Sequence, residues 1–171
     1  MGNNLKVSNL IPEHIYSLTE KLREMGVPLE VGPDYVIVSK PEKYNPVDIQ
    51  TLVFPGFVTD HQQLIASLMV LADGVSSIEE TIYENRFQNL YELAKMGARI
   101  KVEGKKAYIY GPTKLVGTTV MATDLRAGAG LVIAGLFANG VTEIQNADYI
   151  LRGYEKIVEK LSNIGATIEL I

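Results

Sequence analysis

The chain has 171 residues, 47% hydrophobic and 21% charged, with a net charge of −4, which fits one soluble globular domain with a real core and argues against a broad nucleic-acid-binding face. There is no cysteine and there are two histidines, His14 and His61. This excludes disulfides, thiolate metal sites and cysteine nucleophiles within the chain, and no histidine-rich metal site is expected.

In chain order, Leu5–Val7 reads as a strand. Ile15, Leu18, Leu22 and Met25 then step by three and four, which places them on one helix face. Gly26 supplies a left-handed residue that ends the helix, after which the apolar period drops to two. The turn Gly32-Pro-Asp34 leads into a strand at Tyr35–Val38. Thr59-Asp60-His-Gln62 opens a buried helix, Leu64–Leu71, stopped at Ala72-Asp-Gly74 and followed by a strand at Val75–Ile78. A second helix ends at Gly97, and a hairpin follows through Glu103-Gly-Lys-Lys106 into Ala107–Tyr110. Thr123-Asp124-Leu-Arg126 opens another buried helix, Leu131–Phe137, stopped at Ala138-Asn-Gly140, with a strand at Val141–Ile144. Tyr154, Ile157, Leu161 and Ile164 line a last helix face, Gly165 ends it, and a strand through Ile168 and Leu170 is expected.

One pattern occurs three times, in Leu22-Arg-Glu-Met-Gly26-Val-Pro-Leu29, Leu93-Ala-Lys-Met-Gly97-Ala-Arg-Ile100 and Leu161-Ser-Asn-Ile-Gly165-Ala-Thr-Ile168. The glycines stand 71 and 68 residues apart (97 − 26 and 165 − 97), which marks a repeated supersecondary unit. The full unit reads β-α-β-α-β-β. The expected organisation is one α/β domain over residues 1–171, with units at about 3–45 (second half only), 46–111 and 112–171. The first unit lacks its first half and the last lacks a partner strand, so the domain is expected to be incomplete.

Asp60 and Asp124 hold equivalent positions before their helices. N-capping is the common use of such residues. The other reading is a pair of carboxylates at one cleft, one of them a general base. Of the five arginines, Arg86 and Arg152 are expected at the starts of second-half helices, and Arg126 in a first helical turn. Surface placement is the default for any one arginine, but cations there oppose the helix dipole, so together they point to a site for phosphate or carboxylate. Gly128 and Gly130 do not form a nucleotide-binding glycine loop, because no strand leads into them with the required spacing; they fit close helix packing or backbone approach to a ligand. His61 reads as a solvated loop or first-turn residue.

Four stretches, Phe54-Pro-Gly-Phe-Val-Thr-Asp-His-Gln62, Glu80-Thr-Ile-Tyr-Glu-Asn-Arg-Phe87, Met121-Ala-Thr-Asp-Leu-Arg-Ala127 and Leu151-Arg-Gly-Tyr-Glu155, resemble signatures of the UDP-N-acetylglucosamine 1-carboxyvinyltransferase family of enolpyruvyl transferases. The resemblance runs from about Leu5 to Ile171 and corresponds to the C-terminal part of such enzymes. It implies β-α-β-α-β-β units with helices inside and sheets outside, the first unit truncated. It also implies enolpyruvyl transfer from phosphoenolpyruvate to the 3'-hydroxyl of UDP-N-acetylglucosamine, the first committed step of peptidoglycan precursor synthesis, in the cytoplasm and with no cofactor or metal. By the same resemblance Asp60 is the base and a sugar-hydroxyl ligand, and Ile82 (through its backbone) and Tyr83 line the nucleotide-sugar site. Arg86, Arg126 and Arg152 hold the anionic groups of phosphoenolpyruvate and its adduct, and Asp124 sits beside the reacting centre. The family's acid, usually a loop cysteine, and a Lys-Asn pair belong to a companion domain. This chain alone is therefore expected to be inactive. Neither nucleic acid nor a membrane is an expected partner. His61, Gly128 and Gly130 depart from common family patterns.

Overall fold

The computed structural model describes residues 4–84 and 86–171. Asn85, inside the Glu80–Phe87 motif, and residues 1–3, where the first unit is expected to start, lie outside the described residues.

The chain opens with β1 (Leu5–Ser8), a 3-10 turn (Pro12–Ile15), α1 (Tyr16–Glu24), β2 (Leu29–Val31) and β3 (Tyr35–Val38). Next come β4 (Asp48–Gln50), α2 (Thr59–Met69), β5 (Val75–Glu79), α3 (Gln88–Lys95), β6 (Arg99–Glu103) and β7 (Lys106–Tyr110). The last stretch holds β8 (Thr119–Met121), α4 (Leu125–Gly135), β9 (Glu143–Gln145), α5 (Asp148–Leu151) and α6 (Ile157–Asn163).

Among the described residues these strands form three separate sheets, ordered β1-β3-β2, β4-β5-β7-β6 and β8-β9. β4 runs parallel to β5 and β8 parallel to β9, while β7 pairs antiparallel with both β5 and β6. The first sheet repeats the β5-β7-β6 part of the second, with β3 between β1 and β2. The sheets surround a helical centre in which α2 and α4 bury most of their length, including Ile65, Ala66, Met69, Leu131 and Ala134.

The repeated Leu-x-x-x-Gly pattern has a local cause. After α1, α3 and α6 the glycine takes positive φ: +86° at Gly26, +99° at Gly97 and +95° at Gly165. The amide after each glycine then bonds the carbonyl of the leucine: Val27 to Leu22 at 2.9 Å, Ala98 to Leu93 at 3.1 Å and Ala166 to Leu161 at 3.0 Å. This six-to-one bond, with an apolar residue on each side of the turn, is the Schellman cap. It redirects the chain from helix toward the sheet layer the same way each time.

Two expectations change. Both central helices start earlier than the apolar runs at Leu64 and Leu131. The segment 166–170 forms no strand. In the second unit β6 pairs only with β7, which lies between it and β5. Among the described residues no strand takes the place of β7 beside β9, so backbone 166–170 has nothing to pair with. Ile168 still packs with Ala122, Val132 and Ile150, while Leu170 is exposed.

Candidate functional site

The two Thr-Asp motifs sit at the N-termini of the two packed helices, but they are used differently. Asp124 is the N-cap of α4: its carboxylate accepts from the amides of Arg126 at 2.8 Å and Ala127 at 2.9 Å. α2 begins two residues earlier relative to its motif, so Thr59 and Asp60 lie inside the first turn and Val58 holds the cap position without a side-chain bond. Asp60 is thus released from capping, and its side chain is 49% exposed at the surface of the helix pair.

Two arginines converge on it. Arg86 Nη1 donates to Asp60 Oδ1 at 2.9 Å and to Thr59 Oγ1 at 3.0 Å. Arg126 Nη2 donates to Asp60 Oδ2 at 3.0 Å, and its Nη1 donates to the Tyr154 hydroxyl at 3.1 Å. Arg86 precedes α3 while Arg126 sits in the first turn of α4, so the carboxylate joins three helices. Burial on its own would raise the Asp60 pKa, but the hydrogen bonds and charges of Arg126 and Arg86 outweigh it and hold the carboxyl below its ordinary range. Asp124 joins the group indirectly: Gln63 Nε2 on α2 donates to its Oδ2 at 3.4 Å.

Beside this cluster runs the segment after β5. Ile82 and Tyr83 are exposed at 46% and 59%, and the Arg86 guanidinium lies 5.1 Å from the Tyr83 ring centroid. Glu80 accepts the amides of Ile82 and Tyr83, both at 2.9 Å, which fixes the backbone of the segment.

Arg152 is placed differently from expectation. It is the C-cap of the short α5, five residues before α6, rather than the start of a helix. There its charge suits the carbonyl end of the helix. It is exposed, lies 5.1 Å from the Tyr149 ring centroid and lines a surface depression with Asn146, Asp148 and Tyr149. Among the described residues it makes no bond to Asp60, Arg86 or Arg126. Gln62 also departs from its counterpart Arg126: it is fully buried between the helices. No group of three or more His, Asp or Glu side chains among the described residues is arranged to hold a metal ion.

Gly128 and Gly130 serve packing. A β-carbon on Gly128 would fall on Ile150, and one on Gly130 would lie 2.6 Å from the Gln63 carbonyl oxygen. Sequence reasoning missed two partners, Glu80 and Tyr154. The signal for Glu80 was its place at the head of the Glu80–Phe87 motif. Tyr154 stands both on the apolar helix face and in the Leu151–Glu155 stretch, and neither pattern points to its hydroxyl as a partner of Arg126.

His61 is half-buried, its ring edge-on to Phe57 at 5.9 Å, and its Nδ1 is enclosed without a protein partner. Burial lowers its pKa, helped by Arg126 and opposed by Asp60. Around the ordinary histidine value of about 6.5 the unfolded chain therefore holds the proton that the folded chain lacks. Stability is expected to fall as the pH drops through that value, and to stop falling once folded His61 itself titrates. Urea midpoints from pH 8 to 5 on the parent and on His61→Leu check this; equal slopes in that window would show that His61 is not responsible.

A sequence profile of the EPSP synthase (3-phosphoshikimate 1-carboxyvinyltransferase) family matches residues 1–161. A curated relative, UDP-N-acetylglucosamine 1-carboxyvinyltransferase 2 of Geobacillus kaustophilus, is 54% identical over 95% of this chain. The crystal structure of the enolpyruvyl transferase NikO from Streptomyces tendae superposes with a TM-score of 0.89 at 32% identity over 98% of this chain. The EPSP synthase of Acinetobacter baumannii matches with a TM-score of 0.69 at 17% identity, a likeness of fold. The chain spans 38% of the Geobacillus relative's length and 40% of the Streptomyces chain. With its parallel-plus-antiparallel sheets around packed helices, and by the profile match over nearly all its length, the chain belongs to the EPSP synthase (3-phosphoshikimate 1-carboxyvinyltransferase) family.

Proposed function

We propose that this chain forms one wall of an active site that moves enolpyruvyl from phosphoenolpyruvate to the 3'-hydroxyl of UDP-N-acetylglucosamine, in the cytoplasm, as a step of peptidoglycan precursor synthesis. In cell-level terms the reading places it in cell-wall biogenesis, and so in cell shape and division. The observation that carries it is the convergence of Arg86 and Arg126 on Asp60, beside the exposed segment Ile82–Tyr83. The name of the Geobacillus relative supports the choice of acceptor. Residues 1–171 are read as one domain of three units, at about 3–45, 46–111 and 112–171. A companion domain supplies the facing wall and the acid.

Each residue has a role in this reading. Asp60 orients the sugar hydroxyl and takes its proton as the oxygen attacks C2 of phosphoenolpyruvate. Proton delivery to the methylene carbon comes from the companion domain. Loss of phosphate from C2 and of a proton from the neighbouring carbon that had gained one then restores the double bond. Arg86 and Arg126 hold the phosphate and carboxylate of the adduct, and guanidinium forks suit both groups. Arg152 joins them from α5 when substrate bridges the gap. Ile82 contacts the nucleotide sugar through its backbone and Tyr83 through its ring, while Asp124 keeps the Arg126 backbone in place beside the reacting centre. No cofactor, metal, nucleic acid or membrane enters this reading; among the described residues no helix is long and apolar enough to cross a membrane.

The isolated chain is expected to release no phosphate from the two substrates, because half of the positioning groups are absent. It is expected to show broadening of Tyr83 resonances with UDP-N-acetylglucosamine, and to gain turnover when joined to the remaining length of its relatives. Robust phosphate release by the chain alone would sink the reading. Absent turnover with both parts folded would make the chain a non-catalytic scaffold. An enolpyruvyl transferase with another acceptor is the alternative reading. A response to phosphoenolpyruvate with none to the UDP-sugar at Tyr83 would favour it.

A further inference from the structure

Glu80 is 3% exposed, yet every partner of its carboxylate is neutral. Oε1 accepts from Thr51 Oγ1 at 2.7 Å and from the amides of Ile82 and Tyr83 at 2.9 Å; Oε2 accepts from Thr59 Oγ1 at 2.7 Å. A buried carboxylate without a cation is costly to hold, and four donors are what make it tolerable. Those donors are not all structural. Two belong to the exposed Ile82–Tyr83 segment. A third, Thr59, also receives Arg86 Nη1 at 3.0 Å.

The polarity of that relay is determined by proton count. A threonine hydroxyl has one proton, and Thr59 gives it to Glu80. Its lone pairs therefore face Arg86, which also donates to Asp60. The Thr51 hydroxyl fixes the other side, since it donates to Glu80 and accepts from the Thr81 amide at 2.8 Å. The segment 81–83 and the guanidinium of Arg86 thus hang from one carboxylate.

We propose that Glu80 is a positioning residue that couples the Ile82–Tyr83 segment to the Thr59–Arg86 pair, so that filling either half-site sets the geometry of the other. The proposal rests on the reading above, in which the segment meets the nucleotide sugar and Arg86 meets an anion. Glu80 touches no substrate itself. It acts through Thr59 in one direction and through two backbone amides in the other.

Two substitutions separate the coupling from simple stability. Thr59→Val keeps the shape and every bond from Glu80 to the segment, but removes the hydroxyl that reaches Arg86. Glu80→Gln keeps one oxygen for the segment and turns an amide toward Thr59, which reverses the hydroxyl. Thr59→Ser keeps the hydroxyl and serves as rescue. The experiment follows backbone amide resonances of the full chain during titration with inorganic phosphate and, separately, with UDP-N-acetylglucosamine.

In the parent chain phosphate is expected to shift the amides of Ile82 and Tyr83, and each ligand to tighten the other by about fivefold, the low end of ordinary coupling. Thr59→Val and Glu80→Gln are expected to abolish both effects, and Thr59→Ser to restore them; Thr59→Val also takes the one donor from Glu80 Oε2, so it is expected to melt below the parent and is titrated well below its own melting point. Coupling that survives Thr59→Val, a failed rescue by Ser, or no phosphate-induced shift at Ile82 and Tyr83 in the parent overturns the proposal. Failure of the functional reading looks different: the UDP-sugar then shifts nothing in any variant, while phosphate transmission and its loss in Thr59→Val still decide the role of Glu80.

Discussion

Gly130→Ala is expected to destabilise the chain by about 1–3 kcal/mol, although alanine is the better helix former. In an exposed helix the change would stabilise by about 1 kcal/mol. Here the new β-carbon would sit 2.6 Å from the Gln63 carbonyl oxygen, a backbone atom of α2 that moves only with its helix. Forcing an extra carbon into such a contact costs typically about 1–3 kcal/mol. The same displacement stretches the buried bond from Ser67 Oγ to the Gly130 carbonyl, now 2.7 Å, for about another 1 kcal/mol. Overpacking and the lost bond together outweigh helix propensity. Gly135→Ala, at the end of the same helix, is the control. Its β-carbon would meet only Thr142, at 3.4 Å, so that change is expected to be neutral or stabilising. A lowered urea midpoint for Gly130→Ala with none for Gly135→Ala would identify the α2–α4 contact as the cause; equal shifts would refute it.

That contact also marks where the sequence was readable. The helix ends were legible because the Schellman cap is local: Leu22, Gly26 and Val27 lie within six residues, and so do their copies. The strand expected through Ile168 was not formed, because alternation measures a wish to be half-buried and says nothing of a partner for the backbone. The paired Thr-Asp motifs were visible, but their different uses were not. A two-residue difference in where α2 and α4 begin makes Asp124 a cap and frees Asp60. Arg126 lies 66 residues from Asp60 along the chain, so their bond could be inferred only from the repeat, not from any local pattern. Arg152 was misplaced for a related reason: α5 ends at Leu151 and α6 begins at Ile157, splitting what the apolar spacing joined. Glu80 was hidden because an acid after a strand is ordinarily a surface residue.

Asp60→Asn is expected to tighten binding of a simple divalent anion by about tenfold. In the parent chain the Asp60 carboxylate occupies both guanidiniums, Arg86 at 2.9 Å and Arg126 at 3.0 Å, so an incoming phosphate competes with it. At an effective dielectric of 20 a unit charge at 4 Å contributes about 4 kcal/mol. Asp60 is 49% exposed, so screening by water and salt reduces this to about 1.4 kcal/mol, or tenfold. Sulfate is the better probe, because it keeps its double charge across the carboxylate range while phosphate does not. Burial works against the lowered pKa of Asp60, and the hydrogen bonds of Arg126 and Arg86 produce it. The carboxylate therefore persists below the ordinary aspartate range, and parent sulfate affinity is expected to rise toward that of the variant only as the pH falls through that lowered value. Asp60→Asn is expected to be flat over the same interval. Weaker sulfate binding by Asp60→Asn would mean that Asp60 organises the arginines rather than competing for them. The expected direction has a consequence for the chemistry proposed above. A base held by two cations is a poor one, since its conjugate acid is too strong to favour proton transfer. An anion that draws Arg86 and Arg126 away lets the Asp60 pKa climb back, so substrate phosphate would make Asp60 a better base at the moment the sugar hydroxyl has to lose its proton.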